Sequence, residues 1–119
     1  MKIDLKQELA KQWFKNLQDI ICKNIEEIEN SKVLFESKKW SRNPNKDGGG
    51  GESKLLVNGK VFEKVGVNFS EVYGKFPSDM KGKIPGTKKN TKFWASGISI
   101  VMHMKNPNVP AMHFNTRYI

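Results

Sequence analysis

Helical periodicity occurs once in this chain, over residues 4–29, and does not return. Leu5, Leu9, Trp13, Leu17, Ile21, Ile25 and Ile28 recur at spacings of three and four, which draws one apolar stripe along a helix. Asp4 with Gln7 reads as a capping box at its start. Such a stripe must be laid on something, and the remainder of the chain has the pattern of strands. Residues 33–40, 55–57, 61–69, 93–104 and 112–119 are apolar or alternating runs. Asn58-Gly59 separates two of them, the strongest short signal for a hairpin. The sequence therefore predicts an α+β fold: an N-terminal amphipathic helix packed on an antiparallel β-sheet.

Two stretches read as loops. Residues 42–52 hold Pro44 and four consecutive glycines, Gly48 to Gly51. Residues 75–92 are rich in Lys, are punctuated by Gly82, Pro85 and Gly86, and show no period, as expected of a long exposed loop. With 119 residues and no repeat, the chain is expected to form a single domain, residues 1–119. Three Trp and seven Phe favour a packed core over disorder. The lone cysteine, Cys22, excludes a disulfide within the chain and fits a reduced, cytoplasmic setting. It lies beside the helix stripe, where a small packed residue is expected rather than a nucleophile. The N-terminus has no apolar run of signal-peptide type, and no apolar run reaches the length of a membrane span.

The charge is uneven. Residues 1–36 carry six Lys and seven acids, whereas residues 37–119 carry thirteen Lys and two Arg against five acids. A body this basic attracts anions: nucleic acid, a membrane surface or a small polycarboxylate. A solvated Lys surface is the plain alternative for any one of these side chains.

The last two strands carry the most chemistry. Side chains alternate between sheet faces, so Ser99, Val101 and His103 share one face, and Ile98, Ile100, Met102 and Met104 the other. In the next strand His113, Asn115 and Arg117 share a face, opposite Phe114, Thr116 and Tyr118. If the connection centres on Asn108, His103 faces His113, Val101 faces Asn115 and Ser99 faces Arg117. One face then gathers Ser99, His103, His113, Asn115 and Arg117. The two His are the only ones in the chain. They can hold a metal, though two ligands are fewer than a stable site takes, or serve as proton donor and acceptor near neutral pH. An ordinary solvated sheet face is the competing reading. The glycine run can admit an anion or a flat ligand to bare backbone, or be a flexible loop. No Gly-Lys-Ser/Thr comes after it, so it is not a P-loop.

These residues resemble a known family. Phe62-Glu63-Lys64-Val65-Gly66-Val67-Asn68-Phe69-Ser70, with Val72 and Gly74, is similar to a signature of oxygen-dependent coproporphyrinogen III oxidase. Gly97-Ile98-Ser99-Ile100-Val101-Met102-His103, with Asn106-Pro107, Val109-Pro110, His113, Asn115 and Arg117, resembles a second. Trp40, Arg42 and Gly48 to Gly51 resemble a third, with Pro44-Asn45-Lys46-Asp47 making a longer spacing than is usual. The resemblance implies an oxidoreductase of haem biosynthesis that uses dioxygen to decarboxylate two propionates of coproporphyrinogen III, giving protoporphyrinogen IX. It implies no organic cofactor, a divalent metal at His103 and His113, a proton-donating His113, and substrate contacts from Ser99, Asn115, Thr116 and Arg117. It further implies a homodimer and a large flat sheet between helical layers. Against that pattern the chain reads as the N-terminal portion, with the C-terminal part and its dimer-forming region absent and activity alone not expected. Two other readings remain: a basic nucleic-acid-binding module, and an inactive remnant that pairs with another chain. No helix-turn-helix, RRM-type or zinc pattern supports the first of these.

Overall fold

The chain's architecture depends on how one helix is started, stopped and turned. The structure is a computed structural model and describes residues 2–42, 48–83 and 90–119. Helix α1 (Leu5–Glu29) opens with the expected capping box. The Asp4 carboxylate accepts from the Gln7 backbone N–H at 2.8 Å, and the Gln7 side chain accepts from the Asp4 N–H at 2.9 Å. It ends at Asn30, a left-handed cap whose N–H donates to Glu26.

The buried face of α1 shares only Leu17, Ile21 and Ile25 with the apolar stripe counted from the sequence. It runs through Phe14, Gln18, Cys22, Ile25 and Glu29, flanked by Ala10, Leu17 and Ile21. Leu5, Leu9, Trp13, Ile20 and Ile28 are exposed. The helix has apolar residues on two sides, and two polar residues enter the core because the sheet satisfies them. Gln18 Nε2 donates to the backbone carbonyls of Glu52 and Val67, at 2.8 and 3.0 Å. Glu29, wholly buried, accepts from the Ser31 hydroxyl and from the backbone N–H groups of Lys60, Val61 and Phe62. The Ser31 hydroxyl bond leads and the three backbone amides add to it; against the opposing effect of burial they lower the Glu29 pKa from 4.5 to about 2. Cys22 packs as expected, and burial raises its thiol pKa to about 12, so it stays protonated and inert.

Among the described residues five strands form one antiparallel sheet in chain order: β1 (Glu36–Ser41), β2 (Gly48–Val57), β3 (Phe62–Lys75), β4 (Lys92–Met104) and β5 (Met112–Tyr118). The α+β fold holds. One expected loop does not: within residues 42–52 the four glycines are part of β2, all four paired with β3, and Gly50 and Gly51 paired with β1 as well. They read as loop because glycine carries a turn signal, yet here it answers to close approach. Gly49 has φ +112, a conformation L side chains avoid, and a Cβ on Gly51 would run into the Trp40 ring. Pro44-Asn45-Lys46-Asp47, and residues 84–89 of the expected Lys-rich loop, lie outside the described residues. The rest of that second loop contains one short 3₁₀ turn, Ser78–Met80.

The Asn58-Gly59 hairpin joins β2 to β3, but its tight bond runs from the Gly59 N–H to the Phe62 carbonyl, placing Lys60 and Val61 at the bend. Those are the amides Glu29 receives, so the helix end and the hairpin turn are keyed together. Helix α1 packs on β3 and β4. Val65, Val67 and Phe69 of β3 and Ile98 and Ile100 of β4 point to it, and with Leu56 and Phe62 they meet Phe14, Cys22 and Ile25. No helix among the described residues is long and apolar enough to cross a membrane.

Candidate active-site face

Alternation that sends Val65, Val67, Phe69, Ile98 and Ile100 to the helix sends their neighbours to the opposite face, which carries no helix among the described residues. Directly paired residues lie on the same side, so the ladder register reads out that face row by row. One row runs Trp40, Gly51, Ser70, Gly97, Arg117. The next runs Ser53, Asn68, Ser99, Asn115. A third contains Gly66, Val101 and His113, and His103 lies one step further along, opposite Lys64.

The register corrects one expectation. His103 does not face His113; Val101 does, Ser99 faces Asn115, and Gly97 faces Arg117. The slip is two residues, so every side chain keeps its predicted face while its partner changes. The turn explains it. Val109 N–H bonds to the Asn106 carbonyl at 3.1 Å, and Asn106 Oδ1 accepts from the Asn108 N–H at 2.9 Å. Pro110 has no N–H to give, and pairing starts at Met102 and Met112. The two imidazoles are thus diagonal neighbours on one face, both exposed.

Two adjoining hollows occupy this face. One, of about 370 Å³, lies between Trp40 and Arg117 and ends at Phe76 and Phe93, whose rings stack at 4.6 Å. The other, of about 260 Å³, is lined by Ser99, Asn115, Gly97 and Arg117 among others. Gly97 lines the smaller one, and a Cβ there would crowd the Thr116 carbonyl and the Arg117 Cα and Cβ. Without it the arginine stem lies close over β4. Thr116 lines the smaller hollow but its side chain belongs to the helix-side face, so it contributes backbone.

Ser99, Asn115, Arg117, His103 and His113 therefore share one face, with the first three beside the hollows. Trp40, Asn68 and Ser70 join them there, and the sequence reading does not single them out as site residues. For Asn68 and Ser70 a signal was available: in Val65-Gly66-Val67-Asn68-Phe69-Ser70 they alternate with the apolar residues. Among the described residues no group of three His, Cys, Asp or Glu is placed to hold a metal. His103 and His113 are two nitrogen donors, fewer than a closed or catalytic site uses.

One face of the antiparallel sheet is covered by the helix, and the open face bears Arg, His and aromatic side chains. The coproporphyrinogen III oxidase family model matches residues 9–119. The chain is 47% identical to the oxygen-dependent coproporphyrinogen-III oxidase of Rickettsia felis, covering all of this chain and 44% of that protein. It is 49% identical to the enzyme of the same name from Rickettsia akari, again over 100% of this chain and 44% of the relative. The enzyme of that name from Rickettsia africae is 48% identical over 94% of this chain and 42% of its own length. The chain belongs to the coproporphyrinogen III oxidase family, and it spans less than half the length of the curated relatives it matches.

Proposed function

We propose that the open sheet face is a substrate-holding wall of an oxygen-dependent coproporphyrinogen III oxidase, in an assembly that includes this chain. The observation that carries the reading is the hollow between Trp40 and Arg117, which sets Arg117 in one lining with the aromatic side chains of Trp40, Phe76 and Phe93. Coproporphyrinogen has that duality: flat pyrroles and four carboxylates. Arg117 receives a propionate in bidentate fashion, and Ser99 and Asn115 hydrogen-bond beside it. The Thr116 backbone lines the same edge.

In the reaction each of two propionates loses carbon dioxide and two electrons and becomes a vinyl group, while one dioxygen takes the four electrons and ends as water. Each propionate releases one proton, and two more come from solvent. We assign their transfer to His113, one of the two exposed imidazoles on this face. The chemistry asks the protein for position and charge, not for an organic cofactor. A divalent ion at His103 and His113 would need further ligands beyond those two imidazoles, and no step is assigned to it. The cytoplasmic setting and homodimeric state of the family's members belong to the same proposal.

The test uses coproporphyrin III, the stable oxidised form of the substrate. Fluorescence titration of the chain is expected to show binding that weakens as salt rises. Arg117→Ala is expected to lower affinity about tenfold, the loss of a charge-assisted pair. A random single-stranded oligonucleotide is expected to compete poorly. Tighter binding of the oligonucleotide than of coproporphyrin at equal ionic strength would give the face to nucleic acid instead.

A further inference from the structure

Asn68 is a residue of the open face whose side chain is oriented by its neighbours and still has donors to offer. Its Oδ1 accepts from the Trp40 indole N–H at 3.1 Å and from the Ser53 hydroxyl at 2.9 Å. An indole N–H only donates, so the atom it meets is the amide oxygen and the rotamer is decided. Two donors fill that oxygen's acceptor capacity. The NH₂ end has no partner among the described residues and lies in the row where Asn68 faces Ser99 and Ser99 faces Asn115. Asn68 also lines both hollows, a property it shares with Ser70 and Arg117.

We propose that the Asn68 side-chain amide is a ligand-positioning donor, held by Trp40 and Ser53 so that its N–H groups point at a carboxylate of the tetrapyrrole whose other carboxylate Arg117 receives. The inference rests on the substrate reading above. Arg117 supplies attraction at one side of the face, and a charge alone leaves a flat ligand free to rotate about it. A second, neutral donor set two strands away, on β3, removes that freedom. Trp40 then has two tasks: it walls the larger hollow and it locks the amide.

Asn68→Asp is the decisive variant. It keeps an oxygen for Trp40 and Ser53 and replaces the donors with an anionic oxygen. Coproporphyrin III is expected to bind the variant at least about tenfold more weakly than the parent chain, by loss of a hydrogen bond and gain of repulsion. A tetracationic porphyrin of similar size is expected to bind it at least as tightly as the parent. A purely structural role would weaken both ligands together, and that result overturns the proposal. Should Asn68→Asp lower the thermal midpoint, Asn68→Ala, which removes the donors without adding charge, is read the same way and is expected to lose about threefold or more. Unchanged coproporphyrin affinity in Asn68→Asp beside a loss in Arg117→Ala overturns the role of Asn68 alone. No coproporphyrin binding by the parent chain overturns the substrate reading and this inference with it.

Discussion

The two faces of the sheet are built from the same strands, one residue out of phase, and they obey opposite rules. Under α1, Leu56, Val65 and Val67 are 0 to 1% exposed, and polar atoms that enter are fully paired. On the open face Asn, Ser, His and Arg side chains stand among glycines and the apolar Trp40, Leu55, Val72 and Val101. The helix-side face gains from removing apolar area from water. The open face buries fewer side chains, and under the proposed function it is the face that receives the ligand. On that reading the pleat separates stability from ligand chemistry, so adjacent residues should answer mutation differently.

The sharpest break of that comparison is at Phe69 and Ser70. Phe69→Ala deletes a core ring that is 6% exposed and is expected to cost about 3–5 kcal/mol, a large part of a small domain's stability. Ser70→Ala, one residue on, is expected to stay within about 0.5 kcal/mol. Urea unfolding of both variants measures the gap, and comparable costs would mean that the open face is also core. Ligand affinity should invert the order, with Arg117→Ala and Asn68→Asp losing coproporphyrin while leaving the thermal midpoint in place.

A smaller effect sharpens the description of the covered face. Glu29 has its pKa lowered from 4.5 to about 2, so it binds fewer protons folded than unfolded and contributes stability above the unfolded value. That contribution is expected to drain away as pH falls from about 4.5 through 2. Glu29→Gln should lower the melting temperature at neutral pH and flatten this acid limb, because an amide NH₂ meets backbone N–H groups that want an acceptor. An unchanged acid limb would show that Glu29 does not key the β2–β3 turn to α1. The smallest effect is at Cys22. Its thiol, raised to about 12 by burial, is expected to ignore a disulfide exchange reagent at pH 8 until the chain is unfolded in urea. Rapid labelling of the folded chain would show that α1 lifts readily from the sheet.

Much of the molecule is legible in its sequence, and the legible parts obey local rules. Alternation with period two assigns Ser99, His103, His113, Asn115 and Arg117 to one face whatever their partners, and the two-residue slip in register leaves that assignment intact. The capping box at Asp4 and Gln7 needs only a single turn of helix. The α+β class rests on one helical period and five strand-like runs. What the sequence could not decide were the competitions settled by contact. Helix α1 has apolar residues on two sides, and only the sheet chose Phe14 and Cys22 over Leu9 and Trp13. Gln18 and Glu29 are polar, and they are buried because distant backbone groups satisfy them, 34 to 49 residues away for Gln18 and 31 to 33 for Glu29. The four glycines are strand because β3 pairs with all of them, β1 pairs with Gly50 and Gly51, and Trp40 lies over Gly51, a requirement for space that no local propensity encodes. Period and capping are properties of neighbours in sequence. Burial, register and close approach are properties of neighbours in space, and those only the tertiary structure decided.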